Sequence, residues 1–139
     1  MGVRYDYFAA PSDEAAAAVI MDGPGRFPVV ETKWLDAAVV MGQLEELLTG
    51  RPYDEVVEDS RWAEDLAVAH GGELLVLTVT DGLRDALASV AQPAAADWAR
   101  IEELRGIDVS LLEDVLGQLK ALAAAAVRTG ERLYCWVCV

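Results

Sequence analysis

Positive charge is scarce in this sequence. Only 11 of its 139 residues are Lys or Arg, against 24 that are Asp or Glu, and the formal net charge is −13. A field of that sign repels the phosphates of nucleic acids and the anionic surface of a membrane. The composition therefore predicts that neither is a partner. It is compatible with a basic protein partner, but acidity that only keeps the protein soluble is the simpler interpretation.

Histidine and cysteine are also rare, with one and two copies. Cys135 and Cys138 lie three residues apart in a predicted strand, where odd spacing sends side chains to opposite faces. No further Cys pair or His cluster completes a metal site, and His70 has no recognisable nucleophile motif beside it. We therefore predict no catalytic residue, no cofactor and no metal, and we favour a protein that is not an enzyme.

Long apolar runs are absent, since no stretch reaches the roughly 18 residues that a membrane-spanning helix requires. Residues 1–6 lack the basic and apolar regions of a secretory signal, so we expect a cytoplasmic protein. The scarcity of Lys and abundance of Ala are typical of a GC-rich bacterial genome. The length and the 54% hydrophobic content predict one domain spanning residues 1–139.

The chain does have a concentrated apolar segment at residues 133–139, without a charge or a turn-forming residue. Such a segment is typical of a strand buried on both faces. If the odd-numbered residues from Leu133 to Val139 face the main core, then Tyr134, Trp136 and Cys138 need a cover of their own. Helices of the same chain or a second copy in a two-fold dimer would provide it. We favour the homodimer slightly, because an exposed Tyr/Trp patch would be too apolar for water and two-fold dimers are common.

The remaining pattern predicts the fold class. Alternation and turn residues predict strands at 3–8, 27–32, 74–80 and 133–139. Helical spacing and capping residues predict helices at 13–21, 34–48, 81–90, 97–105 and 109–128, with two shorter helical pieces within 53–69. We therefore predict an α+β domain, in which a mixed sheet of about four strands includes both chain termini and packs with five or six helices.

The densest charge cluster is a set of six carboxylates. Its spacing does not match a calcium-binding loop, because the glycine and the closing glutamate are missing. We interpret it first as a solvated helical face and second as a site for a basic partner. This acidic set comprises Asp54, Glu55, Glu58, Asp59, Glu64 and Asp65.

Arg4 and Asp6 share one face of the first predicted strand, so both could point into a cleft beside the sheet. A surface ion pair is the simpler interpretation. A pocket or interface there would also draw on aromatic residues of the terminal strands and on the single histidine. The candidate residues are Arg4, Asp6, Tyr7, His70, Tyr134 and Trp136.

The order of elements resembles that of the YfbM-like family of small uncharacterised bacterial proteins. The resemblance is carried by Met1-Gly2 leading into an aromatic strand, by a helix that ends Leu47-Leu48-Thr49-Gly50, and by a long last helix followed by Gly130-Glu131 and the apolar strand. Since that family has no established activity, the resemblance implies a fold rather than a function.

Two functions follow as hypotheses. The first is a non-enzymatic interaction or regulatory module, of the immunity or antitoxin kind, whose acidic face neutralises a basic partner. The alternative is a small hydrolase or ligand-binding protein with a pocket beside the sheet. A deep pocket that holds a bound molecule and joins the candidate residues would favour the alternative. These candidates are His70, Arg4, Asp6, Tyr7 and Trp136.

Overall fold

The computed structural model describes residues 2–91 and 94–139. Met1, which carries part of the family resemblance, lies outside these ranges. The strands are β1 (Arg4–Ala10), β2 (Val29–Thr32), β3 (Asp65–Ala69), β4 (Leu74–Thr78) and β5 (Arg132–Cys138). The α-helices are α1 (Asp13–Ala17), α2 (Val39–Thr49), α3 (Tyr53–Val56), α4 (Asp81–Ala88), α5 (Ala94–Trp98) and α6 (Val109–Thr129), and short 3₁₀ turns lie at His70–Gly72 and Glu102–Leu104.

The strands form one sheet in the order β2-β1-β5-β4-β3, and every neighbouring pair is antiparallel. β5 lies at the centre, where Cys135 is paired with Tyr7 of β1 on one side and with Leu77 of β4 on the other. The predicted α+β class is confirmed. The described sheet has five strands rather than about four, and its pairings are antiparallel rather than mixed.

The additional strand is β3, which lies where we predicted a helical piece. Val68 of β3 is paired with Leu75 of β4. The chain reverses between the two strands through His70, Gly71 and Gly72, whose φ angles are +51°, +65° and +97°, and glycine adopts such angles at little cost. The helix prediction was wrong because periodicity alone does not separate helix from strand in a short apolar run.

α6 is the longest helix, with 21 residues. It begins after Asp108, whose carboxylate accepts a hydrogen bond from the Ser110 N–H at 2.9 Å, and it ends at Gly130, whose φ is +71°. One face of α6, including Leu112 and Leu119, is buried against the sheet. No helix within the described ranges, α6 included, is long and apolar enough to cross a membrane.

The first face of β5 belongs to the main hydrophobic core. Leu133, Cys135 and Val137 are buried there, together with Tyr7 from β1. The helices α2, α4, α5 and α6 contribute most of the remaining residues of this cluster, and the neighbouring strands and loops contribute the others. The main core is therefore the layer between the sheet and four helices.

The second face of β5 has a smaller cover. Tyr134 and Trp136 lie there with 0% and 7% of their surfaces exposed, under Ala16 of α1 and Val19 in the segment that follows. The Trp136 indole N–H donates a hydrogen bond to the Ile20 carbonyl oxygen at 3.0 Å. The prediction of burial on both faces holds for residues 133–137, but Val139 lies beyond β5 with 67% of its surface exposed. The exposed Tyr134–Trp136 patch that motivated the homodimer prediction does not exist, because the same chain covers it.

Candidate functional site

Three strands place two carboxylates and an indole in one row across the second face of the sheet. Asp6 of β1 is paired with Glu31 of β2 on one side and with Trp136 of β5 on the other. Side chains directly opposite each other in antiparallel strands share a face and lie about 5 Å apart at their Cβ atoms. Arg4, two residues before Asp6, therefore joins this row on the same face.

The Arg4 guanidinium lies between all three of these groups. Its Nη2 atom is 2.9 Å from Asp6 Oδ2 and 3.6 Å from Glu31 Oε2. Its Cζ atom lies 5.7 Å from the centroid of the Trp136 ring, which is within the range of a cation–π contact. Arg4 thus shows that a cation fits against these three side chains.

Asp6 is a buried carboxyl group rather than one half of a surface ion pair. Its side chain is only 3% exposed, and its Oδ1 atom is buried without a hydrogen-bond partner among the described residues. Burial raises the pKa of Asp6, and the Arg4 guanidinium lowers it by a smaller amount. One oxygen of this carboxyl group therefore has a donor, and the other lacks one.

A small cavity of about 190 Å³ opens beside this row. Its wall includes a loop in which Gly23 has a φ of +83°, and a Cβ atom at that position would lie 3.5 Å from the Trp136 ring. Three carboxyl groups and one guanidinium line the cavity, so the formal charge of its wall is negative. The lining residues are Arg4, Asp6, Asp22, Gly23, Pro24, Gly25, Val29, Glu31 and Trp136.

The other residues predicted for this pocket lie elsewhere. Tyr7 points to the opposite face of the sheet, because it alternates with Asp6 along β1, and its hydroxyl donates to the Leu35 carbonyl oxygen in the main core. His70 is exposed in the turn between β3 and β4, and the cavity does not include it. Tyr134 shares the face of Trp136 but lines a different cavity.

That second cavity, of about 520 Å³, contains a cluster built on Asp13 at the start of α1. The Tyr134 hydroxyl donates to Asp13 Oδ1 at 2.7 Å, and the Arg61 guanidinium donates to both Asp13 oxygens at 3.2 and 3.3 Å. The hydrogen bonds from Arg61 and Tyr134 lower the pKa of Asp13, while burial and Asp13 raise the pKa of Tyr134 to about 12. This cluster ties α1 to β5.

Both other arginines of the second cavity, Arg84 and Arg132, also make polar contacts within the fold. Arg132 Nε lies 3.3 Å from Asp81 Oδ1, and Arg84 donates to the Glu131 carbonyl oxygen at 2.9 Å. The Ser12 hydroxyl accepts the Ala15 N–H as the cap of α1. These contacts serve the fold, and none of them joins a nucleophile to a general base.

Removing the Tyr134 hydroxyl tests the role of this cluster. We expect Tyr134→Phe to lower the free energy of unfolding by about 1 kcal/mol at neutral pH, because a hydrogen bond to a half-exposed carboxylate is lost. The pKa of Asp13 is lowered in the folded state, so its ionised form stabilises the fold above its ordinary pKa and ceases to do so as the pH falls through the lowered value.

Urea unfolding at neutral and strongly acidic pH measures this effect. The difference between wild type and Tyr134→Phe should shrink at acidic pH, whereas Tyr53→Phe, which leaves Asp13 untouched, should not show that dependence. An unchanged difference across the pH range would contradict the assigned contact.

The acidic set does not form one helical face. Asp54 and Glu55 lie in α3, Glu58 and Asp59 follow it in turns, and Asp65 begins β3. Most of these side chains are exposed, while the Asp59 carboxylate accepts the Arg61 N–H at 2.8 Å. The set is solvated, as predicted, but the fold spreads it over three kinds of local structure.

A groove next to α3 collects other carboxylates. It has a volume of about 650 Å³ and lies between α2, the start of α3 and the turn at Glu102–Leu104. Leu47, which is 40% exposed, lies in this wall. We call it the acidic groove, and its lining residues are Gln43, Glu46, Leu47, Tyr53, Ile101, Glu102 and Glu103.

The acidic groove has a negative field and no cation in its described wall. Burial, followed by the charges of Asp36, Glu103 and Asp54, raises the pKa of the Tyr53 hydroxyl. The Glu46 carboxylate accepts the Tyr53 N–H at 2.7 Å, which fixes the junction of α2 and α3. An exposed leucine among carboxylates suits a partner that carries both apolar and basic side chains.

Comparisons with known proteins add no assignment. No protein-family model matches the chain, and comparisons with curated proteins and with solved structures gave no significant match. The YfbM-like resemblance therefore stays a prediction. Within the described part of the chain, no group of three or more His, Cys, Asp or Glu side chains is arranged to hold a metal ion.

Proposed function

We propose that this protein is a cytoplasmic, non-enzymatic interaction module that binds a basic protein partner through the acidic groove. The observation that carries the proposal is the groove itself, in which Glu46, Glu102 and Glu103 lie around the exposed Leu47. Among the residues that the structure describes, no cationic side chain lines its wall. Neutralisation of a basic partner, as an immunity protein or antitoxin achieves it, is the specific form of this role.

The charge of the whole chain supports the same proposal. A formal net charge of −13 accelerates association with a cationic partner and opposes association with nucleic acids. The solvated acidic set continues the negative surface from α3 to β3. The groove supplies the apolar contact, and the acidic set supplies long-range attraction.

The first test compares charge removed from the groove with the same charge removed elsewhere. A groove variant combines Glu46→Gln, Glu102→Gln and Glu103→Gln, and its matched control combines Glu73→Gln, Glu113→Gln and Asp114→Asn at exposed positions. We expect the groove variant to bind the partner about tenfold more weakly, because three exposed ion pairs at about 0.5 kcal/mol each are lost.

The measurement begins with capture from a bacterial lysate at low and high salt, followed by titration of the captured protein. A basic protein that is released by salt, and that binds the control variant more tightly than the groove variant, supports the proposal. If both variants lose the same affinity for the partner, then only the net charge matters for binding. That result would overturn the assignment of the binding site to the groove.

The alternative function, a ligand-binding protein, also has an observation in its favour. Arg4, Asp6 and Trp136, which are three of the five residues that this hypothesis named, line one cavity beside the sheet. His70 does not join them, so the hydrolase form of the hypothesis loses the histidine that it named as a candidate general base.

A further inference from the structure

The buried Asp6 carboxyl group has fewer hydrogen-bond donors than its two oxygens can accept. Its Oδ2 atom accepts one bond from Arg4, while Oδ1 has no partner among the described residues although the side chain is 97% buried. A buried acceptor without a donor carries the cost of desolvation uncompensated. A group that donates to both oxygens would remove this cost.

Arg4 cannot be that group in its present position. It lies two residues from Asp6 on the same strand and reaches one oxygen with one nitrogen, Nη2. A guanidinium that approaches from outside the strand can instead place two parallel N–H groups on the two oxygens of a carboxylate. Arg4 therefore supplies a donor to only one of the two Asp6 oxygens.

The rest of the cavity suits the same ligand. Trp136 offers a ring face that already holds a guanidinium at 5.7 Å, and Glu31, with 69% of its side chain exposed, lies at the entrance. Arg4 is itself 49% exposed, so it can move into solvent without losing a packed core contact. The volume of about 190 Å³ accommodates a guanidinium on a short alkyl stem.

Other charged ligands fit less well. The described carboxylates are not grouped to coordinate a metal ion. A quaternary ammonium has no N–H group to give to Asp6 Oδ1. An anion would be repelled by Asp6, Asp22 and Glu31, which all line the cavity.

We propose that the cavity at Asp6, Glu31 and Trp136 is a binding site for an alkyl guanidinium group, which displaces Arg4 and pairs with both oxygens of Asp6. The group belongs either to a free small molecule or to an arginine side chain. The site lies on the second face of the sheet, whereas the acidic groove lies among helices on the first. It therefore extends beyond the proposed function and does not depend on it.

The test titrates the full chain with ethylguanidinium and follows the indole N–H signal of Trp136 by NMR. A blocked Gly-Arg-Gly peptide forms the second arm, and the tighter of the two ligands identifies the source. Tetramethylammonium and magnesium chloride at the same ionic strength are the controls, and neither should shift the signal saturably. Saturable binding of either guanidinium probe supports the proposal, and binding of neither overturns it.

Variants distinguish a guanidinium site from general attraction to an acidic protein. We expect Asp6→Asn to weaken ethylguanidinium binding more than about tenfold, since a charge-assisted bidentate pair is lost. Arg4→Gln should tighten binding at least about threefold, because the internal competitor is removed. Glu64→Gln, an exposed carboxylate outside the cavity, is the matched control and should leave the affinity unchanged.

The fold of the Asp6→Asn variant can be checked separately. Burial raises the pKa of Asp6 in the folded protein, so a neutral isostere is compatible with this site. Glu31→Gln, at an exposed position, provides a second variant that should weaken binding without affecting stability. If Arg4→Gln weakens binding instead of tightening it, Arg4 is part of the binding surface and the displacement proposal is wrong.

Discussion

Replacement of Cys135 by Asp is expected to leave the chain unfolded at neutral pH. Cys135 is fully buried at the centre of β5, between Tyr7 of β1 and Leu77 of β4. Burial already raises the pKa of its thiol far above the usual value, so an ionised side chain is strongly disfavoured there. An unpaired buried carboxylate costs several kcal/mol, which is comparable to the total stability of about 5–15 kcal/mol that a domain has.

Circular dichroism and urea unfolding measure this effect, with Cys135→Ala as the control. The alanine variant removes one sulfur atom and adds no polar group, so we expect it to fold and to lose about 1–2 kcal/mol. A cooperative unfolding transition for Cys135→Asp with near wild-type stability would show that β5 is not the buried central strand.

Trp136→Ala should have the second-largest effect. The substitution removes a side chain that is 93% buried, together with the hydrogen bond to the Ile20 carbonyl oxygen and the contact with Arg4. Loss of a buried tryptophan costs about 3–5 kcal/mol. We therefore expect a large fall in the free energy of unfolding, because the cover over the second face of the sheet loses its main apolar contact.

Trp136→Phe is the matched control, since it keeps an aromatic ring and removes only the indole N–H and part of the volume. It should cost clearly less than Trp136→Ala. Light scattering is expected to give the same mass for the wild type and for Trp136→Phe, because the chain itself covers this position. A fall in mass with unchanged stability would instead place Trp136 in an interface between two copies.

The burial of β5 could be predicted, but its place in the sheet could not. The apolar run at residues 133–139 needs cover on both faces whichever strands lie beside it. The neighbours of β5 are β1 and β4, and these pairings join segments that are distant in the sequence. A local sequence pattern does not predict them. The second short apolar run, at residues 66–69, was misassigned for the same reason, because only its pairing with β4 makes it a strand.

The sequence predicted only the part of the candidate site that lies within a single strand. The period of two along β1 places Arg4 and Asp6 on one face and excludes Tyr7 from it. Glu31 was missed because its position beside Asp6 follows from the register of β2 against β1. Trp136 was selected as an aromatic residue, whereas its place opposite Asp6 became visible only in the sheet.

A buried carboxylate in α2 was likewise not predictable from the sequence. Glu45 is 1% exposed, accepts a hydrogen bond from the Thr80 hydroxyl and lies 3.5 Å from Arg51 Nη1. Burial raises its pKa, and a Cβ atom at Gly82 would lie 3.0 Å from Glu45 Oε2. In the sequence Glu45 is one acidic residue among many, and only the approach of α4 to α2 turns it into a buried contact.

The two faces of the sheet are covered by layers of different size, so the two layers differ in local stability. Four helices pack on the first face, whereas the second face is covered by a five-residue helix and the segment that follows it. Local opening is least costly where few apolar contacts must break, so α1 detaches at a lower free energy than the helices of the main core. The opened state exposes Phe8, Tyr134 and Trp136 while the sheet stays intact, and it is the species from which aggregation of this protein would begin.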